Sequence, residues 1–177
     1  MISCVKGADV PLLTLEEVKA HLRLDSTFED DYLNTLIQTA TAALEQETGR
    51  SFLTKQWRID YGVPYGTHRQ RIELPYPPLL SVETINHVYE AIRRPIKRYS
   101  VDINLSVPVL EFDISGGHVE ITYTAGYGAW PTAVPEPLRY ATLALVGELY
   151  ENRGLKGLES HSLALQLVRP YTIRRIW

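Results

Sequence analysis

Histidine is the side chain best suited to acid–base work or metal ligation near neutral pH. The five here, His21, His68, His87, His118 and His161, are scattered along 177 residues. No pair has metal-ligand spacing on one predicted helix, and Cys4, the single cysteine, offers no thiolate partner for a zinc site. Glu29, Asp30 and Asp31 concentrate negative charge without the alternate spacing and central glycine of a calcium loop. Their position suits the positive end of a helix dipole instead. Ser160 and Ser162 flank His161, but the glycine-framed turn that exposes a serine nucleophile is missing. Gly116-Gly117 and Gly126-Tyr127-Gly128 are too short for a dinucleotide fingerprint, and no lysine and serine or threonine follow as in a phosphate loop. Glu148 and Glu151 have the spacing of a solvated helix edge. The residues therefore suggest no enzyme: no catalytic, cofactor-binding or metal-binding residue is assigned.

For nucleic acid, Arg93, Arg94, Lys97 and Arg98 form the one internal basic cluster, in a stretch that reads as a loop between strands. Phosphate binding usually recruits a broader basic surface, so a solvated loop without sequence-specific DNA readout is expected.

The elements that would position these residues begin with a capping box, Thr14 and Glu17, flanked by Leu13 and Val18 as a hydrophobic staple. It starts a short helix running to about Leu24. A second start signal at Thr27 leads into Leu33, Leu36, Ile37, Ala40 and Leu44 at three- and four-residue steps, with Gly49 as the stop. The period then changes to two, with Leu53, Trp57, Ile59 and Tyr61 alternating with polar neighbours as in a half-buried strand. Further strands are expected near 71–74, 81–89, 99–103, 109–114 and 118–124, the last two joined as a hairpin by Ser115-Gly116-Gly117. After a loop at Gly126 to Pro131, Pro135 and Pro137 open a third helix that reaches about Asn152. Leu138, Ala141, Leu145 and Leu149 mark one stripe of that helix, and Leu143, Ala144 and Val146 widen it beyond the need of a surface helix. Such a helix is either central to its own domain or packed against another subunit. Gly154 and Gly157 then interrupt the pattern.

The fold class is thus α+β: N-terminal helices, a small mainly antiparallel sheet, a long apolar helix in the C-terminal half and an extended C-terminal arm. Residues 1–157 form the domain and 158–177 the arm. An apolar fraction of 45% supports a real core, and one cysteine leaves stability to packing or association, as suits a reducing cytoplasm. No apolar run approaches the ~18–20 residues that span a bilayer, so no membrane partner is expected, and the start reads as soluble and unprocessed. The net charge of −3 is uneven: residues 14–49 hold eight acidic and two basic side chains, 50–153 eleven of each, and 154–177 one acidic and four basic. Opposite signs at the two ends suit contacts between different surfaces.

Six stretches in order carry a family resemblance. Leu13-Thr14-Leu15-Glu16-Glu17-Val18-Lys19-Ala20-His21-Leu22-Arg23-Leu24-Asp25 resembles the first helix of phage head-to-tail connector (adaptor) proteins. Asp30-Asp31-Tyr32-Leu33 through Thr48-Gly49-Arg50 is similar to the long helix that follows it. Pro75-Tyr76-Pro77-Pro78-Leu79-Leu80-Ser81-Val82 resembles the approach to their central strands, and Tyr123-Thr124-Ala125-Gly126-Tyr127-Gly128 the turn before their last long helix. Val134-Pro135-Glu136-Pro137-Leu138 with Tyr150-Glu151-Asn152-Arg153 is similar to that helix, and Leu167-Val168-Arg169-Pro170-Tyr171 to the family's tail signature.

The resemblance, which includes prophage and gene transfer agent versions, implies a structural protein without cofactor. It implies a ring of twelve copies that joins the portal protein to a stopper or tail-terminator protein at the head–tail junction of a particle assembled in the bacterial cytoplasm. DNA would pass through without sequence-specific binding. Leu163, Leu165, Leu167, Arg169, Pro170, Tyr171, Ile173, Arg174, Arg175, Ile176 and Trp177 supply apolar and arginine side chains of the kind found at interface hot spots, and are the expected portal contacts. Leu33, Ile37, Leu143 and Val146 are the expected contacts between subunits. The alternative is a packaging accessory that binds DNA or terminase, which would need a helix-turn-helix with a basic second helix. Here the second helix is acidic.

Overall fold

The computed structural model describes residues 1–66, 68–90, 92–152 and 162–173. The chain divides into two units, one of Met1–Ala8 with Thr54–Gly126 and one of Asp9–Leu53 with Tyr127–Trp177.

The first unit contains the strands β1 (Ile2–Lys6), β2 (Lys55–Gly62), β3 (Arg69–Glu73), β4 (Leu79–Tyr89), β5 (Ile92–Pro95), β6 (Ser100–Asp102), β7 (Val109–Asp113) and β8 (His118–Ala125). They form a five-stranded sheet, β1-β2-β8-β4-β5, and a three-stranded sheet, β3-β7-β6, with every pairing antiparallel. Period two on β8 sends Val119, Ile121, Tyr123 and Ala125 inward, where each is fully buried, and leaves Glu120, Thr122 and Thr124 on the other face. Ile59, Ile72, Leu74, Ile85, Leu110 and Phe112 from both sheets complete one core with them. The Tyr123 hydroxyl donates to the Pro75 carbonyl at 2.8 Å, so this buried ring satisfies its polar end.

Two expectations change here. The sheet is two sheets, and Ser115-Gly116-Gly117 does not close a hairpin: β7 pairs with β3 and β6, whereas β8 pairs with β2 and β4. Gly116 and Gly117, both at positive φ, instead carry the chain from one sheet to the other; the Val63 amide donates to the Gly117 carbonyl at 2.9 Å and the Gly116 amide to the Pro64 carbonyl at 3.3 Å. Strands β1 and β5 are additions. Both are exposed along their whole length and lack the alternation that marks a half-buried strand.

The second unit contains α1 (Leu15–Leu22), α2 (Asp30–Thr48), α3 (Glu136–Asn152) and α4 (Leu163–Val168). The capping box forms as expected: the Glu17 amide donates to Thr14 Oγ1 at 3.2 Å and the Thr14 amide to Glu17 Oε2 at 2.7 Å. The helix stops at Leu22 because Arg23 turns left-handed. Helix α2 begins at Asp30, three residues after the expected Thr27 cap, and ends where Gly49 adopts φ 67°. No helix among the described residues is long and apolar enough to cross a membrane.

The extended arm is the largest difference. Residues 162–173 form α4 and a 3₁₀ turn, Arg169–Tyr171, packed against α2 and α3. Ala164 and Val168, one helical turn apart, are fully buried. The Ile173 amide donates to the Thr48 carbonyl at 2.9 Å, and Arg50 Nε to the Tyr171 carbonyl at 2.7 Å. Ser162 Oγ bonds both Glu148 oxygens at 2.9 and 2.8 Å. The described residues of the expected arm therefore belong to the helical unit, and the expected boundary at 157/158 lies outside the described residues.

Candidate functional site

No group of three or more histidine, cysteine or carboxylate side chains is placed to hold a metal among the described residues. His87 Nε2 lies 2.9 Å from the Gly116 carbonyl, tying β4 to the glycine crossing. Ser160 and His161 lie outside the described residues. What the described surface offers is charge and apolar relief.

On the polar face of the five-stranded sheet, Glu120 sits between two cations, 2.8 Å from Arg58 and 2.6 Å from Arg93. Glu83 accepts from Gln56 and Thr124 on the same unit. In the smaller sheet Glu111 meets Arg69 and, at 2.9 Å, Arg71. The hydrogen bond from Arg69 holds the Glu111 carboxyl below the usual carboxylate range, and the same bond raises the Arg69 guanidinium.

The basic cluster is placed differently from its expected loop. Arg93 and Arg94 belong to the edge strand β5, and Lys97 and Arg98 follow in the connection to β6. Arg93 is engaged by Glu120. Arg94, Lys97 and Arg98 are exposed beside the exposed apolar side chains Ile92 and Tyr99, so this segment presents cations and hydrophobic groups together.

In the helical unit, a depression of about 380 Å³ between α1 and α3 is lined by the apolar and aromatic side chains Leu13, Ala20, Tyr140 and Leu143 together with Glu17, His21, Glu136 and Arg139. Arg139 donates to Glu17 at 2.6 Å and to Glu136 at 3.2 Å. Glu136 remains 79% exposed in its side chain. The sequence reading missed this groove. Its available signal was Arg139, the sole lysine or arginine between Arg98 and Arg153.

Of the four expected subunit contacts, Leu33, Ile37 and Val146 are buried inside the helical unit. They offer no surface to a neighbour, because α2 and α3 cover each other's stripes. Leu143 is half-buried in the groove. Among the expected portal contacts, Leu163, Arg169 and Pro170 are exposed, while Leu165, Leu167, Tyr171 and Ile173 are half-buried. Arg174, Arg175, Ile176 and Trp177 lie outside the described residues. Burial raises the Tyr127 phenol above its usual range, and Arg50, which also holds the Tyr171 carbonyl, opposes that shift.

The chain's likeness to known proteins agrees with the resemblance in its sequence. Residues 12–87 match the family model described as phage gp6-like head-tail connector protein, a span that takes in α1, α2, β2, β3 and most of β4. A chain from the neck of an empty GTA particle, computed with C6 symmetry, superposes with a TM-score of 0.84 at 25% identity, covering 100% of this chain and 97% of that one. A chain from the virion of a native gene transfer agent (GTA) particle gives 0.83 at 26% identity with the same coverage. A third, from the neck of a native GTA particle computed with C12 symmetry, gives 0.78 at 24% identity and the same coverage. No curated protein matches the sequence.

Proposed function

We propose, from the match to the head-tail connector family, that this chain is a structural connector subunit at the head–tail junction of a phage or gene transfer agent particle. The observation that carries the reading is full-length: at 25–26% identity the whole chain shares its fold with chains of a GTA neck and virion. The mechanism is mechanical. Copies associate head to tail, a contact between two different surfaces that closes into a ring when the rotation per subunit divides a full turn. We take the ring to hold twelve subunits, which the C12 symmetry of one similar neck supports.

One face of this ring docks on the portal and the other receives a stopper or tail-terminator protein. The portal-facing surface runs over the outer side of α4 and the turn after it, through Leu163, Arg169 and Pro170, and Arg174, Arg175, Ile176 and Trp177, outside the described residues, are further portal contacts of this reading. DNA crosses the ring without sequence-specific contacts, because each phosphate neutralised adds affinity that transport does not need. Assembly takes place in the bacterial cytoplasm. The charge of α2 disfavours a DNA-binding accessory: its first turn carries Asp30 and Asp31, and none of its 19 residues is lysine or arginine.

Removing the chain from producing cells tests the reading. Filled heads and separate tails that fail to join are the expected outcome, and complete particles would overturn it. Leu163→Ser with Arg169→Glu tests the portal surface, since both side chains point away from the buried face of α4. Unchanged capture of portal by this variant would reject that surface and leave the connector role standing.

A further inference from the structure

The ring requires two different surfaces of one chain to fit each other, and the α1–α3 groove and the 92–99 segment make a complementary pair. The groove between α1 and α3 is lined by apolar Leu13, Ala20 and Leu143 and by acidic Glu17 and Glu136, with Arg139 held between the two carboxylates. The segment Ile92–Tyr99 pairs exposed apolar side chains with positive charge. It runs from the edge strand β5 into an exposed connection and carries Arg94, Lys97 and Arg98 between Ile92, 53% exposed, and Tyr99, 44% exposed.

We propose that the α1–α3 groove of one subunit receives the 92–99 segment of a second copy of this chain. An apolar side chain of the segment packs against the apolar lining, while its cations face Glu136. This deepens the connector reading and rests on the ring.

Charge is what commits the groove to this occupant. Glu136 reaches Arg139 with one oxygen at 3.2 Å yet stays largely in solvent, leaving its other oxygen for an incoming cation. Arg93 is already taken by Glu120, so the cations left to approach a neighbour are Arg94, Lys97 and Arg98. The edge position of β5 suits this role. Its arginines and Pro95 discourage another strand from pairing with it, so contact falls to the side chains.

The test uses full-length chain assembled into rings on portal-bearing particles. Equal amounts of ¹⁴N- and ¹⁵N-labelled chain are treated with a zero-length carbodiimide, which condenses a carboxylate with an amine to an amide and is itself converted to a urea that carries off the carboxylate oxygen. An amide between Glu136 of one isotope and Lys97 of the other is expected. Glu136→Lys alone, and Arg94→Glu with Arg98→Glu alone, should each weaken assembly by about fivefold or more, as loss of a rim ion pair does. An equal mixture of the two variants should restore it, because every contact in an alternating ring again joins opposite charges. Wild-type rings that give no such cross-link, with variants that assemble normally, would overturn the groove contact while leaving the ring intact. A wild-type chain that never forms rings on the portal would overturn both.

Discussion

Val168 anchors the segment that was expected to be a free arm, and trimming it to alanine measures how firmly that segment is held. The side chain is fully buried on the inner face of α4, beside Ala164. Val168→Ala removes two carbons from the core. At ~0.8 kcal/mol per methylene, with a further cost for the cavity left behind, the loss is about 2 kcal/mol. The lost contacts lie between α4 and the helices beneath it, so the effect falls first on local opening of residues 162–173. The reporter is the Ile173 amide, whose bond to the Thr48 carbonyl exists only while the segment is docked. Its hydrogen exchange, followed by NMR at constant pH, should accelerate roughly 30-fold, the equivalent of 2 kcal/mol at tenfold per 1.4 kcal/mol. Leu163→Ala on the exposed face of the same helix serves as the control and should change the rate less than about threefold. Equal effects of the two variants, or an Ile173 amide that exchanges as freely as an unstructured one in the wild type, would refute the docked segment.

Thr14→Ala removes the acceptor of the capping box and should lower the stability of the helical unit by about 1 kcal/mol, read from the urea midpoint. Tyr123→Phe leaves the Pro75 carbonyl without its 2.8 Å donor inside the β unit and should cost about 1–2 kcal/mol in the same assay, with no change in the strand pairing seen by NMR. Glu111 should titrate below the ordinary carboxylate range by carbon-detected NMR, and Arg69→Ala should bring it back up. Because its native pKa is depressed, its contribution to stability is complete above the unfolded carboxylate value and is lost as pH falls through the lower native one.

Sequence signals that act within a few residues were readable. The capping box, the Gly49 stop and the strand near 118–124 each depend on neighbours close in the chain, and each formed as read. Partner choice was not readable in the same way. The turn chemistry of Gly116 and Gly117 announces a reversal, but which strand β8 meets afterwards is decided by residues 30 or more positions away. Strands β1 and β5 lie at sheet edges with every side chain exposed, so no hydrophobic alternation marks them, and the arginines of β5 resemble a solvated loop.

The same limit governs the interfaces. Leu33, Ile37 and Val146 form apolar stripes, and a stripe looks identical whether its own chain or a neighbour covers it; here its own chain does. The groove escaped notice because it joins Glu17 to Arg139 across 122 positions. Only the family resemblance, carried by stretches in order along nearly the whole chain, pointed to a function at all, since no catalytic or ligand-binding spacing was read from the residues.

Electron cryomicroscopy of particles assembled with a chain bearing a small fused tag tests the central claim most directly. Repeated copies of the tag in a closed ring where the capsid opening meets the tail would sustain it. Complete particles with no tag density at that junction would contradict it.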